Sequence, residues 1–281
     1  MMTLKHLRSA GMLAPAGLLF LFLLVLPLVF LFKVSLFAPG PSAALKGTLS
    51  FESYRQLLDP YIFRILFRTL RISLFVTGLC LVLGYPVALS IVRSTGLWRT
   101  VQMILVISPL FVSVVVRSYG WLLLLGNRGL INGFLKGVGI VSSPVKMLNT
   151  EGAVIVGLAE ALLPFMVLSL TAVMERQDGS LKEAAHGLGA SPLVEFFLVT
   201  LPLSLPGALA GSLLVFMVAM GSYATPALLG GSQVRLMVTE IYTQVTSVFN
   251  WPFGAALAMA LLVISLAIIM AANRLAGSRA K

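Results

Sequence analysis

The feature that most constrains this chain is the recurrence of apolar runs about 20 residues long, the length a helix needs to cross the hydrocarbon core of a bilayer. They fall at residues 13–32, 70–92, 101–126, 154–174, 203–229 and 252–272. Composition agrees: 59% of residues are hydrophobic and 10% charged, with mean hydropathy +1.02. A soluble domain carries about 25% charged residues, and a chain this apolar has too little polar surface to meet water. The reading is an all-α polytopic membrane protein with about six transmembrane helices. It forms one transmembrane domain over residues 1–281, with core spans from about 65 to 274.

The run after Lys5 and Arg8 imitates a signal peptide. From Met12 to Phe32 it is too long for an ordinary signal core, and no A-x-A-like site follows, so it is read as an uncleaved first span. The next segment, up to about residue 69, interleaves aromatics with arginines, as helices lying at an interface do. Orientation follows from basic residues in short loops. Lys5, Arg8, Arg93, Arg99, Arg176, Lys182, Arg274, Arg279 and Lys281 share one side, which places both termini in the cytoplasm.

The net charge of +11 would suggest nucleic acid on a soluble protein. Here the basic residues flank apolar runs, so they are read as anchors at lipid headgroups, with no nucleic-acid partner. Cys80 is the single cysteine and sits in an apolar run. His6 and His186 are far apart, and no metal-ligand spacing exists. The spans hold no Asp or His that could build an intramembrane enzyme. Pro86, Pro109, Pro164, Pro206 and Pro226 lie in or at the ends of spans. Each removes a backbone donor and tends to kink its helix, which suits a pathway that opens and closes, although proline is common in membrane helices anyway.

The informative polar segment is the loop at about residues 175–202, with GSLKEAAHGLGASPLVEFFLVTLP at its centre. Ser180 and Glu183 have capping-box spacing, which predicts a short helix from about Leu181 to Leu188, ended by Gly187 and Gly189. Ser191 caps a second helix with Pro192 at its first position. The small residues Ala184, Ala185, Gly187, Gly189 and Ala190 let another surface approach closely. The segment is either a docking elbow or an ordinary structured loop.

Glu183-Ala184-Ala185, then Gly189, Phe196 and Leu201-Pro202, resemble the EAA signature of ABC-importer permeases of the binding-protein-dependent type. The resemblance implies a type I importer permease in the inner (plasma) membrane. In that family the short helix is a coupling helix seated in a groove of an ATP-binding subunit. Glu183, Ala184, Ala185, Gly187, Gly189, Leu201 and Pro202 are then the coupling residues. No G-x-x-x-x-G-K-[ST] sequence is present, so this chain holds no cofactor and ATP would be bound by the partner. The expected partners are two cytoplasmic ATP-binding subunits, a second and different homologous permease, a periplasmic or extracellular solute-binding protein, and the bilayer.

LSFESYRQLL, VRSYGW, GSYATPALLGG and NWPFGAALA resemble the spermidine/putrescine (polyamine) permeases. Relatives importing opines or amino-acid derivatives look similar. A polyamine pathway should offer carboxylates and aromatic faces. Intramembrane charges are costly and functional by default. Glu160 is either a pathway carboxylate or one half of a structural ion pair with Arg117. Tyr119, Trp121 and Tyr223 are pathway aromatics or interfacial belt residues. Pro226 marks a possible break in its span. Glu240 reads as an exposed charge or a guide for cations. The segments outside are otherwise basic, so an acidic binding protein would have to deliver a cation.

Overall fold

In a computed structural model the described residues are 2–39 and 49–278. They form α1 (Met2–Ser35), α2 (Glu52–Gln56), α3 (Pro60–Arg93), α4 (Gly96–Ile107), α5 (Val114–Leu125), α6 (Leu130–Gly137), α7 (Glu151–Met174), α8 (Gly179–Gly187), α9 (Pro192–Glu195), α10 (Leu201–Met220), α11 (Met237–Thr246) and α12 (Trp251–Ser278). Four stretches are long and apolar enough to cross a membrane: α3, α7, residues 192–220 and most of α12. A fifth crossing is a bent pair, and α1 carries the further apolar stretch Leu19–Ser35. Leu19, Phe20, Leu21 and Phe22 follow one another round α1 and are all exposed. A helix apolar on every side belongs in lipid or in a core.

Contacts divide the chain into two units, residues 1–63 with 240–264, and residues 64–239 with 265–281. In the first, the backbone pairs Phe37 with Leu49, and the Ser35 and Tyr54 hydroxyls meet at 2.7 Å. Glu240 is not the exposed charge expected from its loop-like sequence. It is 3% exposed, accepting from the Tyr61 hydroxyl at 3.3 Å and the Gln244 amide at 2.9 Å. A buried carboxylate requires such donors.

The second unit is built round α7. Thr150 caps this helix by accepting from the Ala153 N–H at 3.2 Å, and Glu151 sits where the helix dipole favours an anion. Leu158, Met166, Val167 and Leu170 are fully enclosed. α10 packs chiefly on α7, through the buried Ser204, Gly207, Ala208 and Gly211. Small residues at this spacing let helices approach where lipid gives no hydrophobic drive.

Three expected spans have different boundaries. The second begins at Pro60, so the interfacial helices expected before residue 70 reduce to α2. The third is not one helix: residues 96–111 and 114–137 meet at 98°. Ser108–Phe111 forms a tight 3-10 turn containing Pro109, which has no N–H to continue a ladder, and Val112–Ser113 are extended. The fifth stops at Met220. After Gly221 the chain re-forms only a wide turn, Pro226–Gly230, ended by Gly231 at φ +53. A Cβ there would lie 2.4 Å from Asn149 Oδ1, while Asn149 N–H donates to the Leu229 carbonyl at 2.9 Å.

Candidate coupling elbow and membrane cavity

Two places in the second unit carry the candidate residues. The first is the elbow joining α7 to α10. Its helix, α8, starts earlier than the sequence suggests because Asp178, not Ser180, supplies the cap: the Ser180 N–H donates to Asp178 Oδ1 at 3.0 Å. That bond, with the Ser180 hydroxyl in second place, holds the Asp178 carboxyl below its ordinary value. α8 ends in a Schellman-type closure. Ala190 N–H reaches back to the Ala185 carbonyl at 3.0 Å, and Gly189 takes φ +83. Ser191 caps α9 by accepting from the Val194 N–H, as its sequence position implies.

Glu183, Ala184, Gly187 and Gly189 are exposed, Ala185 is half-buried, and a Cβ at Gly187 or Gly189 would meet nothing within 4 Å. Leu201 is half-buried and Pro202 exposed at the start of α10. Sequence reasoning passed over Leu188, an apolar side chain 90% exposed on the tip of the turn.

The second place is a cavity of about 490 Å³ among α3, α4, α5 and α7. Leu79, Leu83, Leu105, Val156 and Leu163 are typical of its walls, and Glu160 is the charged member of its lining. Glu160 Oε2 lies 3.1 Å from Arg117 Nε and 3.5 Å from Trp121 Nε1. Arg117 also donates to the Pro109 carbonyl at 3.0 Å, tying α5 to the turn at which the third span bends. The structure thus brings Glu160, Arg117 and Trp121 together on one wall. Tyr119 is exposed on α5, Tyr223 lies in the break after α10, and Pro226 is buried at the start of the wide turn. None of these three lines the cavity. Pro226 and Thr225 instead belong to close packing, where the Thr225 and Ser118 hydroxyls approach to 3.4 Å.

Charge pairs at the two ends of this bundle were not foreseen. At one end Arg68 and Arg71 both bind Glu151. At the other, Arg93 meets Glu195 and Arg99 meets Glu175. The signal available in the sequence was a glutamate inside the apolar run PLVEFFLV. Among the described residues no cluster of His, Cys, Asp or Glu could hold a metal ion.

A bundle of apolar helices, two of its crossings broken by turns, with a capped polar elbow between its two most closely packed helices, defines a transporter permease. Its fold matches that of a bacterial alginate ABC transporter, whose crystal structure holds an alginate pentasaccharide-bound periplasmic protein: TM-score 0.77, 21% identity, 96% of this chain and 94% of that one. No protein-family model matches the chain. The spermidine/putrescine transport system permease protein PotB of Haemophilus influenzae is 37% identical over 244 residues, 87% of this chain and 85% of the relative. PotB of Escherichia coli K12 is 36% identical over 239 residues, 85% of this chain and 87% of the relative. The chain belongs to the PotB family of ABC-transporter permeases and is a multi-pass inner-membrane protein.

Proposed function

We propose that this chain is the permease subunit of an ATP-driven, binding-protein-dependent importer of polyamines, spermidine or putrescine, or a closely related cationic amine. Both termini and the elbow face the cytoplasm. ATP is bound and hydrolysed by two separate subunits, and a second, homologous but different permease completes the pathway. A solute-binding protein delivers the amine from outside. The observation that carries the reading is the elbow. A nine-residue helix, capped by Asp178 and closed by Gly189, presents Glu183, Ala184 and the protruding Leu188 to a partner surface.

ATP would close the two nucleotide-binding subunits together, move the elbows, and shift the bundle between inward-open and outward-open packings. The chain needs only two packings of similar free energy. Along the pathway, Glu160 supplies the carboxylate an ammonium favours, and Trp121 turns its N–H toward that carboxylate and orients it. In the packing described here Arg117 holds that carboxylate, so an amine reaching Glu160 takes the place of the guanidinium. Tyr119, Tyr223 and Pro226 are left to the pathway only if the other packing turns them inward.

Uptake of labelled spermidine and putrescine into proteoliposomes bearing the whole complex, with binding protein outside and ATP inside, tests this. ATP-dependent accumulation of the amines over an acidic or neutral solute is expected, with Glu160→Gln reducing it at least tenfold. Equal accumulation of an uncharged solute, or uptake without ATP, would refute the cationic or the ATP-driven part respectively.

A further inference from the structure

Glu195 is the most enclosed charged side chain among the described residues, 1% exposed, and neither the elbow surface nor the cavity uses it. One carboxylate oxygen accepts the hydroxyl of Thr200, itself fully buried, across the wide turn Phe196–Thr200. The other oxygen meets Arg93, the last residue of α3, at 3.4 Å. Just beyond, Phe196 stands edge-on to Tyr85 of α3 with centroids 5.8 Å apart, and the Tyr85 hydroxyl lies 3.0 Å from Ser204. The other foot of the elbow is held as well, since Arg99 of α4 binds Glu175 at the end of α7. Arg93 and Arg99 flank the short turn between α3 and α4, so that one turn grips the elbow on both sides.

Burying a charge to gain stability is inefficient, because desolvation offsets most of the attraction and apolar packing would serve as well. What a buried carboxylate held by a residue of a neighbouring element supplies is a fixed register between the two. The two are not equal. Arg99–Glu175 is open to solvent on both sides and therefore screened and weak, whereas Glu195 has no water to fall back on. α3 and α4 contribute Leu79, Leu83, Leu105 and Val106 to the cavity wall. We infer that Arg93 and Glu195 are positioning residues that carry displacement of the elbow into α3 and α4, and through them into the cavity. This rests on the elbow being the seat of the ATP-binding subunit. Without the pair the elbow would still dock and the partner would still hydrolyse ATP, but the walls would no longer follow.

The test reads the walls without needing the solute. Leu163→Cys, in a Cys80→Ser background, puts a thiol in the cavity. Its labelling by a membrane-impermeant maleimide is compared in the reconstituted complex with and without ATP and vanadate. Glu195→Gln keeps side-chain volume and an acceptor for Thr200. Arg93→Gln changes an exposed residue and guards against misfolding of the first variant. The expected result is a nucleotide-dependent change in labelling of at least fivefold in the parent. In either variant that change falls below twofold, while ATP hydrolysis stays within about half of the parent rate, and the double variant is no worse than either single one. Full nucleotide-dependent labelling in both variants, or loss of hydrolysis in proportion to loss of the labelling change, overturns the inference. Failure of the parent permease to retain an ATP-binding subunit would instead overturn the coupling reading beneath it.

Discussion

Replacing Gly207 by alanine sets two effects of known size against each other. A Cβ at Gly207 would lie 2.8 Å from the Ser169 carbonyl oxygen and 2.9 Å from two carbons of Val173. The nearest atom is backbone, so no rotamer change relieves it and α10 must move away from α7. Overpacking of this kind costs about 1–3 kcal/mol. The same substitution gains about 0.4–1 kcal/mol by restricting the unfolded chain. Gly78 on α3 is the internal control, because a Cβ there meets nothing within 4 Å. Gly78→Ala should therefore stabilise by about 0.4–1 kcal/mol, and the two variants should differ by the overpacking alone, about 1–3 kcal/mol. Unfolding in a mild detergent by added dodecyl sulfate, followed by loss of helicity, gives both values under one condition. If Gly207→Ala proves as stable as Gly78→Ala, the α7–α10 contact is not the tight, small-residue interface described here.

Two further outcomes follow from individual contacts. Arg117→Gln should destabilise the bundle by less than the roughly 3–5 kcal/mol cost of stranding one member of a fully buried pair, since Arg117 is 13% and Glu160 32% exposed; Arg117→Gln with Glu160→Gln should recover most of it in the same unfolding assay. The Asp178 carboxyl should titrate below its ordinary value of 3.8 because it accepts from Ser180. A depressed carboxyl pKa stabilises the fold above the unfolded value and loses that contribution as pH falls through the folded one. The α8 cap should thus be intact at neutral pH and weaken only below about pH 4. Ser180→Pro, which removes the donor N–H, should return the titration of a carbon-13-labelled Asp178 toward normal.

Much of this architecture is written in the sequence because lipid imposes a simple rule. Every span must close its own hydrogen bonds over about 20 residues, so apolar length alone locates α3, α7, α10 and α12. The elbow is legible for a different reason: Ser191-Pro192 and the glycines at 187 and 189 have local conformational preferences that no tertiary context reverses. Where the reading faltered, the missing information was tertiary. A proline inside an apolar run does not say whether the helix bends or stops. Pro164 stays within α7, Pro109 sits in a 98° break, and the helix of the fifth run ends at Met220, before Pro226. Asp178 outcompetes Ser180 as a cap because its carboxylate is the stronger acceptor beside the helix N-terminus. Glu240 looks like an ordinary loop charge until the fold brings Tyr61 and Gln244 to it, and the place of Glu195 inside an apolar run names neither Arg93 nor Thr200 as its partner. The Arg117–Glu160 proximity was conceivable from two lone charges in apolar runs, but their distance depends on the break at Pro109 that the sequence does not reveal.

The claim that the elbow is where this chain is driven meets its most direct test in the affinity between the permease and its ATP-binding subunit. Gly189→Val adds a side chain to a position with open space around it, so nothing within the chain clashes. It does force a β-branched residue to hold φ near +83, where such residues are outliers. The account predicts that the purified wild-type permease co-purifies with the ATP-binding subunit, and that Gly189→Val weakens the association at least tenfold, while its strain stays confined to the turn and the permease alone remains folded. Undiminished association by a correctly folded Gly189→Val chain would contradict it.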